Sequence, residues 1–486
     1  MVIAGFDVGT TAVKGVHLDP ASGRVTAAAE WRYQLHRPQP GRAEQDPRDW
    51  LRGIATCAAE LARLDPGARV AAVGIGSQAN THVLVDGALE PLLPAITWQD
   101  VRCAGAASEV ERRASGRVEE LFGGPFNIDA SFALSRAEWA RQQAPEVWAR
   151  TRWILSPKDF CVARLTGAIG SDATSSVGLV DRGGNYLAGA LALVDGTAAR
   201  LPPLAPFDAR AGATNGELGL PAGLPVSVGT MDAWCSVYGS GVTAGGQAVH
   251  VSGTSEILGV MATGPGAAPG VLSFPPVRGR FIHFAPTQAG GDALRWIADV
   301  LDLSVEAALA RAVAAAPEPI VFLPHLAGER APLWNADASA VFVGVTSSTS
   351  SGALVRAVLE GVAHAARQAR ESCEQAAGFD VPVLRLSGGA SRSASWNQIK
   401  ADAHRRPLER VADANTGCIG AALMGGVAAG MADDLETWAA EIVAVGETYE
   451  PDRSRADRLD ALHGVYRAAY AALVEQFPVL RRLAGS

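Results

Sequence analysis

Eight residues near the N-terminus recur almost half a chain later. Gly9-Thr10-Thr11-Ala12-Val13-Lys14-Gly15-Val16 lines up with Gly253-Thr254-Ser255-Glu256-Ile257-Leu258-Gly259-Val260, an offset of 244 (253 − 9) in a chain of 486 residues. Each copy follows an apolar strand candidate, turns at Gly-Thr-Thr/Ser and re-enters an apolar run two residues later. Coincidence is the alternative, because Gly-Thr-Ser turns are common and eight residues are few. The offset of about half the chain and the equivalent settings favour duplication. At about 150 residues per domain, the length also calls for two or three domains. The expectation is two similar domains, 1–243 and 244–486, meeting across a cleft of the kind that binds small ligands. The boundary belongs near Gly239-Ser240-Gly241-Val242-Thr243-Ala244-Gly245-Gly246, the most glycine-dense stretch between the copies.

Strand candidates are Val2 to Phe6, Ala71 to Ile75, Val226 to Val228, Val249 to Val251, Ile320 to Leu323 and Val383 to Leu386. Between them run helical patterns. Asp46-Pro47 reads as an N-cap and an N1 proline, with Trp50, Ile54, Leu61 and Leu64 on one face. Leu354, Val358, Val362, Ala365 and Ala369 align from about Ala353, and Gly378 supplies the stop. The alternation predicts an α/β fold. Hydrophobic residues at 48% can supply a large core, and 42 Lys and Arg against 50 Asp and Glu give a net charge of −8. With no basic run, neither a nucleic-acid nor an anionic-membrane partner is expected.

The six cysteines show no CxxC pair, which argues against a disulfide framework or a zinc site and for a cytoplasmic location. Met1 to Asp7 reaches an acid too early for a signal peptide. The longest uncharged apolar stretch, Gly417 to Ala432, is shorter than the roughly 20 residues of a membrane helix and reads as a buried helix.

Four loops could carry chemistry. In Asp7-Val8-Gly9-Thr10-Thr11 with Lys14, glycine permits close backbone approach and amide and hydroxyl groups can meet phosphate oxygens. Lys14 adds positive charge there, and Asp7 could hold Mg²⁺ directly or through water. An ordinary hairpin turn is the plain alternative; the matching Ser252-Gly253-Thr254-Ser255 loop favours a split phosphate clamp. Gly229-Thr230-Met231-Asp232-Ala233 follows a strand, where an acid points into a ligand crevice or caps the next helix. Ser387-Gly388-Gly389-Ala390-Ser391 permits flat contact with a purine or ribose, or is a tight turn. Trp98-Gln99-Asp100-Val101-Arg102 suits a polyhydroxylated ligand, though Trp is often core and Asp–Arg often a surface pair. Gln78, Asn80 and His82 lie in a similar strand-to-loop position.

In order along the chain, these motifs resemble the FGGY family of carbohydrate kinases, its xylulokinase-like members most. Glu44-Gln45-Asp46-Pro47-Arg48-Asp49-Trp50, Ser156-Pro157-Lys158-Asp159, Leu165-Thr166-Gly167, Gly328-Glu329-Arg330-Ala331-Pro332 and Leu359-Glu360-Gly361 add to the match. The resemblance implies two duplicated RNase H-like domains of the actin/hexokinase-type ATPase fold. It makes Asp232 the general base and a sugar contact, and Asp7 the acid near Mg²⁺. Gly9, Thr10, Thr11, Lys14, Gly253, Thr254 and Ser255 would hold the phosphates of ATP, and Gly388, Gly389 and Ala390 the adenosine. Gln78, Asn80, Trp98, Asp100 and Arg102 fall where the sugar is held.

The chain departs from the xylulokinase pattern at Ala79-Asn80, where Met-His is usual, and at Met231-Asp232-Ala233, where Gly-Asp-Asn is common. It departs again at Asn415-Thr416-Gly417-Cys418-Ile419. The expected activity is ATP-dependent phosphorylation of a pentulose such as xylulose; gluconate, an alditol or another ketose is the alternative within the family. An actin- or chaperone-like ATPase module is the alternative of another class. A homodimer is left open.

Overall fold

The computed structural model describes residues 1–123, 126–274 and 276–484, which form two compact units. Unit 1 is built chiefly from Met1–Gly241 and Asn415–Val443, unit 2 from Val242–Phe274, Arg278–Ala414 and the chain from Ala444 onward.

In unit 1, the strands β1 (Val2–Val8), β2 (Ala12–Leu18) and β3 (Val25–Arg32) form an antiparallel meander. The helix α1 (Pro47–Leu64) follows, capped by the Asp46 side chain on the amide of Arg48, as the Asp-Pro pair predicts. Its Trp50, Ile54 and Leu61 are buried, whereas Leu64, at its last residue, is 46% exposed. The strand β4 (Val70–Ser77) then pairs parallel with β1. Helix α2 (Pro157–Thr166) leads to β5 (Arg210–Ala213) and β6 (Pro225–Ser227), and β6 lies parallel to β4. The sheet order is β3-β2-β1-β4-β6-β5, and α3 (Asp232–Gly239) follows β6. β1 is buried along almost its whole length, as its near-continuous apolar run requires of a central strand.

Unit 2 repeats this plan. The strands β7 (Ala248–Ser252), β8 (Glu256–Ala262), β9 (Leu272–Ser273) and β10 (Phe281–Pro286) are antiparallel neighbours. Helix α4 (Gly291–Val300) and the long α5 (Ser351–Ala377), stopped by Gly378, come before β11 (Leu384–Ser387), which is parallel to β7. Helix α6 (Ala394–His404) connects to β12 (Leu408–Val411), parallel to β11. With β13 (Val445–Tyr449) the order is β9-β10-β8-β7-β11-β12-β13. In both units a meander, a helix, a parallel strand, a helix and a second parallel strand follow in the same sequence. The aligned Gly9 and Gly253 segments are the turns of equivalent hairpins, β1–β2 and β7–β8.

The chain passes from unit 1 to unit 2 at Gly241/Val242, inside the glycine-dense stretch. The largest departure from a division into contiguous halves at 243/244 is Asn415–Val443, which packs in unit 1, where α7 (Thr416–Ala428) lies on β1, β4 and α3. This helix supplies most of the uncharged stretch expected to be buried. All six cysteines are free and buried, and among the described residues no helix is long and apolar enough to cross a membrane.

Candidate active site

In unit 1, the β1–β2 hairpin is closed by the amide of Gly9 on the carbonyl of Ala12, 2.9 Å. The Tyr33 hydroxyl donates to the Gly9 carbonyl and the Tyr33 amide to the Thr11 carbonyl, tying the turn to the strand behind it. Asp7 and Lys14 are cross-strand partners, so their side chains leave the same face of the sheet. Burial raises the Asp7 carboxyl above its ordinary range, and the nearby Lys14 charge opposes that rise. Its Oδ1 is enclosed and accepts no hydrogen bond. Helix α7 approaches at Gly417, where a Cβ would stand 2.9 Å from Asp7 Oδ2. Nothing but glycine fits that approach without a shift.

Asp232 is the first residue of α3, just past β6, and its Oδ1 accepts the Ala233 amide at 2.7 Å. It therefore serves the helix start and also stands at the carboxyl end of a parallel strand. Burial, then the charge of Asp7, pushes its carboxyl up to about 7. A buried carboxyl raised further by a neighbouring carboxylate is suited to acid–base chemistry near neutral pH.

The expected sugar contacts divide into two groups. Trp98 is 41% exposed, and its Nε1 donates to Thr10 Oγ1 at 3.0 Å. Thr10 Oγ1 in turn donates to Gln78 Oε1 at 2.9 Å, and Gln78 Nε2 donates to Gln45 Oε1 at 2.7 Å. The hydroxyl proton of Thr10 is thus committed to Gln78, while Thr11 and Lys14 remain exposed. Asn80 sits at φ 50 with a single 3.4 Å contact to Ser131 Oγ. Asp100 and Arg102 differ from expectation. The Asp100 side chain is fully buried and Arg102 is 8% exposed. Asp100 accepts from the Ala43 amide and from Arg102, which also reaches Glu44 at 2.6 Å. These bonds hold the Trp98 segment in place.

His82 Nδ1 lies 2.7 Å from Arg136, which can only donate. The imidazole therefore accepts at Nδ1 and carries its proton on Nε2, and it lines a recess with Asn80, Ser175 and Tyr186.

In unit 2, the Gly253 amide reaches the Ser255 carbonyl at 3.0 Å, and Thr254 is exposed. Gly388 has φ 90, and a Cβ there would stand 2.3 Å from the Ser252 carbonyl oxygen, so the Gly388-Gly389-Ala390 turn lies against this hairpin. Both expected nucleotide segments of unit 2 are thus neighbours.

Several residues of this region were not singled out from sequence. Lys400, fully buried, donates to Ser252 Oγ and pairs with Glu256 Oε1 at 3.0 Å, while His250 Nε2 lies 2.6 Å from Glu256 Oε2. The start of α4 also meets the loop, with the Gly291 amide on the Gly253 carbonyl at 2.8 Å and Arg295 3.4 Å from Thr254 Oγ1. The adjacent Gly290-Gly291 ahead of a helical run was the available signal.

Among the described residues no three His, Cys, Asp or Glu side chains gather as a metal cage. The unpartnered Oδ1 of Asp7 nevertheless fits a cation that keeps most of its own water, as magnesium does.

The N-terminal domain model of the FGGY family of carbohydrate kinases matches residues 2–239, and the C-terminal domain model matches residues 248–429. The chain is 29% identical over 483 residues to the xylulose kinase of Escherichia coli K12, covering 97% of this chain and 99% of the relative. It is 27% identical over 481 residues to the gluconokinase of Bacillus subtilis, covering 92% and 90%. A solved xylulose kinase structure from Rhodospirillum rubrum superposes with a TM-score of 0.85 at 27% identity, covering 98% of this chain and 100% of that one.

Proposed function

This chain belongs to the FGGY family of carbohydrate kinases, and from that premise we propose that it transfers the γ-phosphoryl group of ATP to a hydroxyl of a pentulose, with Asp232 as general base. The observation that carries the reading is Asp232 itself, at a strand end beside Asp7 with its carboxyl raised to about 7, where a base near neutral pH is most effective.

Asp232 accepts the proton as the sugar oxygen bonds to the γ-phosphorus, and the bond from that phosphorus to the β,γ-bridging oxygen breaks to release ADP. In unit 1 the Thr10-Thr11 turn and Lys14 offer donors to phosphate oxygens, and in unit 2 the Thr254 and Ser255 hydroxyls do, on a turn closed by the Gly253 amide. Gly388, Gly389 and Ala390 support the adenosine. Asp7 would hold Mg²⁺, directly or through its water, and the ion would supply charge neutralisation on the phosphates. Trp98 offers an indole face to the sugar, oriented by Thr10 and Gln78, and Asn80 contributes its amide. A cytoplasmic location fits the same reading.

The gluconokinase relative and the Ala79-Asn80 departure keep an aldonate as the second reading. ADP release measured across pentuloses, hexuloses, alditols and aldonates separates the two. The highest kcat/KM on a pentulose is expected; the highest value on an aldonate would displace the pentulose.

A further inference from the structure

Beneath the loop that delivers Asp232 lies a buried ion cluster that the phosphoryl-transfer reading leaves unused. Lys158, the second residue of α2, is fully buried. Its ammonium contacts Asp159 Oδ1 and pairs with Asp172 Oδ1 at 3.0 Å. Asp159 is held in turn by Ser171 Oγ at 2.8 Å and the Ser156 amide at 3.2 Å. Asp172 is 1% exposed. Its Oδ2 accepts from Thr230 Oγ1 at 2.8 Å, from the Thr174 amide at 3.1 Å, from the Ser175 amide at 3.2 Å and from the Thr174 hydroxyl. The backbone is pinned as well: Lys158 N donates to Ser77 Oγ at 3.2 Å, and Ser77 N to the Thr230 carbonyl at 3.3 Å. Gly229, at φ 73, lies so close to β4 that a Cβ would stand 2.0 Å from the Ile75 carbonyl oxygen.

Burying one ammonium between two carboxylates is a poor way to stabilise a fold, since well-packed apolar residues of the same volume do as well or better. What such a cluster does provide is a single geometry. Its outward end is Thr230, fully buried and two residues before Asp232. The geometry points to Lys158, Asp172 and Thr230 as positioning residues that fix where the Gly229–Asp232 turn presents the Asp232 carboxylate. This inference rests on Asp232 being the base.

The test is steady-state kinetics of the full-length Thr230→Val and Thr230→Ser enzymes with MgATP and the best pentulose, alongside thermal melts. Valine matches threonine in shape and leaves Asp172 Oδ2 its other three donors, so the fold is expected to survive with an unchanged melting temperature. Misplacing a reacting group by about 1 Å costs on the order of 10²-fold in rate. Thr230→Val is therefore expected to lose kcat by about that factor, with KM for sugar and ATP within about twofold. Thr230→Ser, which restores the hydroxyl, is expected to recover most of it.

A normal kcat in Thr230→Val overturns the inference. So does a change confined to KM, or a loss that follows a fallen melting temperature and that serine does not rescue. Asp232→Ala, run in parallel, separates the two claims. An active Asp232→Ala enzyme removes the base assignment, whereas an inactive one beside a normal Thr230→Val removes only the positioning role.

Discussion

A carboxyl that titrates near 7 is half-empty of protons only where the cell keeps its pH, and Asp232 is such a group because burial and Asp7 act in the same direction. The base form is the deprotonated one, so kcat/KM should rise with pH through about 7 and level off above it. Removing the Asp7 charge lowers the Asp232 carboxyl, so in Asp7→Asn the rise should shift to lower pH even as the rate falls. A rise at the same pH in both enzymes would dissociate the two residues. The same shift affects stability. Between the ordinary value of 3.8 and about 7 the folded chain holds this proton more tightly than the unfolded one, so stability declines as pH rises through that window. Asp232→Asn should therefore melt higher than the parent at about pH 8; an unchanged or lower melting temperature would contradict the raised carboxyl. At this scale Asp7 and Asp232 were readable because Asp7 directly follows the apolar run Val2 to Phe6 and Asp232 lies in the short turn after the run Val226 to Val228. Lys158 was quoted without a role because its partner Asp172 lies in an irregular segment, and no periodicity points from one to the other. Asp100 and Arg102 carried the right side chains for a sugar, but their pairing needs the fold to bring Ala43 and Glu44 alongside.

At the scale of elements, the β7–β8 hairpin is held from behind by a salt bridge with no access to water. Removing one partner of a buried pair leaves the other uncompensated, a loss of about 3–5 kcal/mol. Lys400→Met is expected to destabilise by that order in denaturant unfolding, and Lys400→Met with Glu256→Gln should recover part of it. Equal loss in the double variant would show that Glu256 is not the stranded charge. Gly388→Ala forces a Cβ against the Ser252 carbonyl at a positive φ, a strain of about 1–3 kcal/mol. Binding of ATP, followed by titration calorimetry, should weaken accordingly. The six strands singled out from sequence were legible to within a residue or two because β-branched apolar runs mark them, whereas neighbours such as β2, β3 and β8 were not singled out. Helix α5 was legible from its spacing and its terminal glycine. The return of Asn415–Val443 to unit 1 was not legible. Helix α7 is apolar nearly all round and buried on nearly every side, so it has no polar face from which to infer its neighbours.

For the whole molecule, the repeated Gly-Thr turn disclosed the duplicated topology because each copy closes an equivalent hairpin, a local structure that eight residues can specify. The order of strands beyond the hairpins depends on long-range pairing, which sequence alone left to the family resemblance. The kinase reading places the proton of the sugar hydroxyl on one carboxylate, Asp232. The most direct measurement is single-turnover ADP formation by Asp232→Ala with saturating MgATP, with and without a pentulose, paired with its ATP affinity. The account predicts ATP bound as in the parent enzyme and sugar-dependent turnover lowered at least about 10²-fold. Full sugar-dependent turnover in that variant would contradict it.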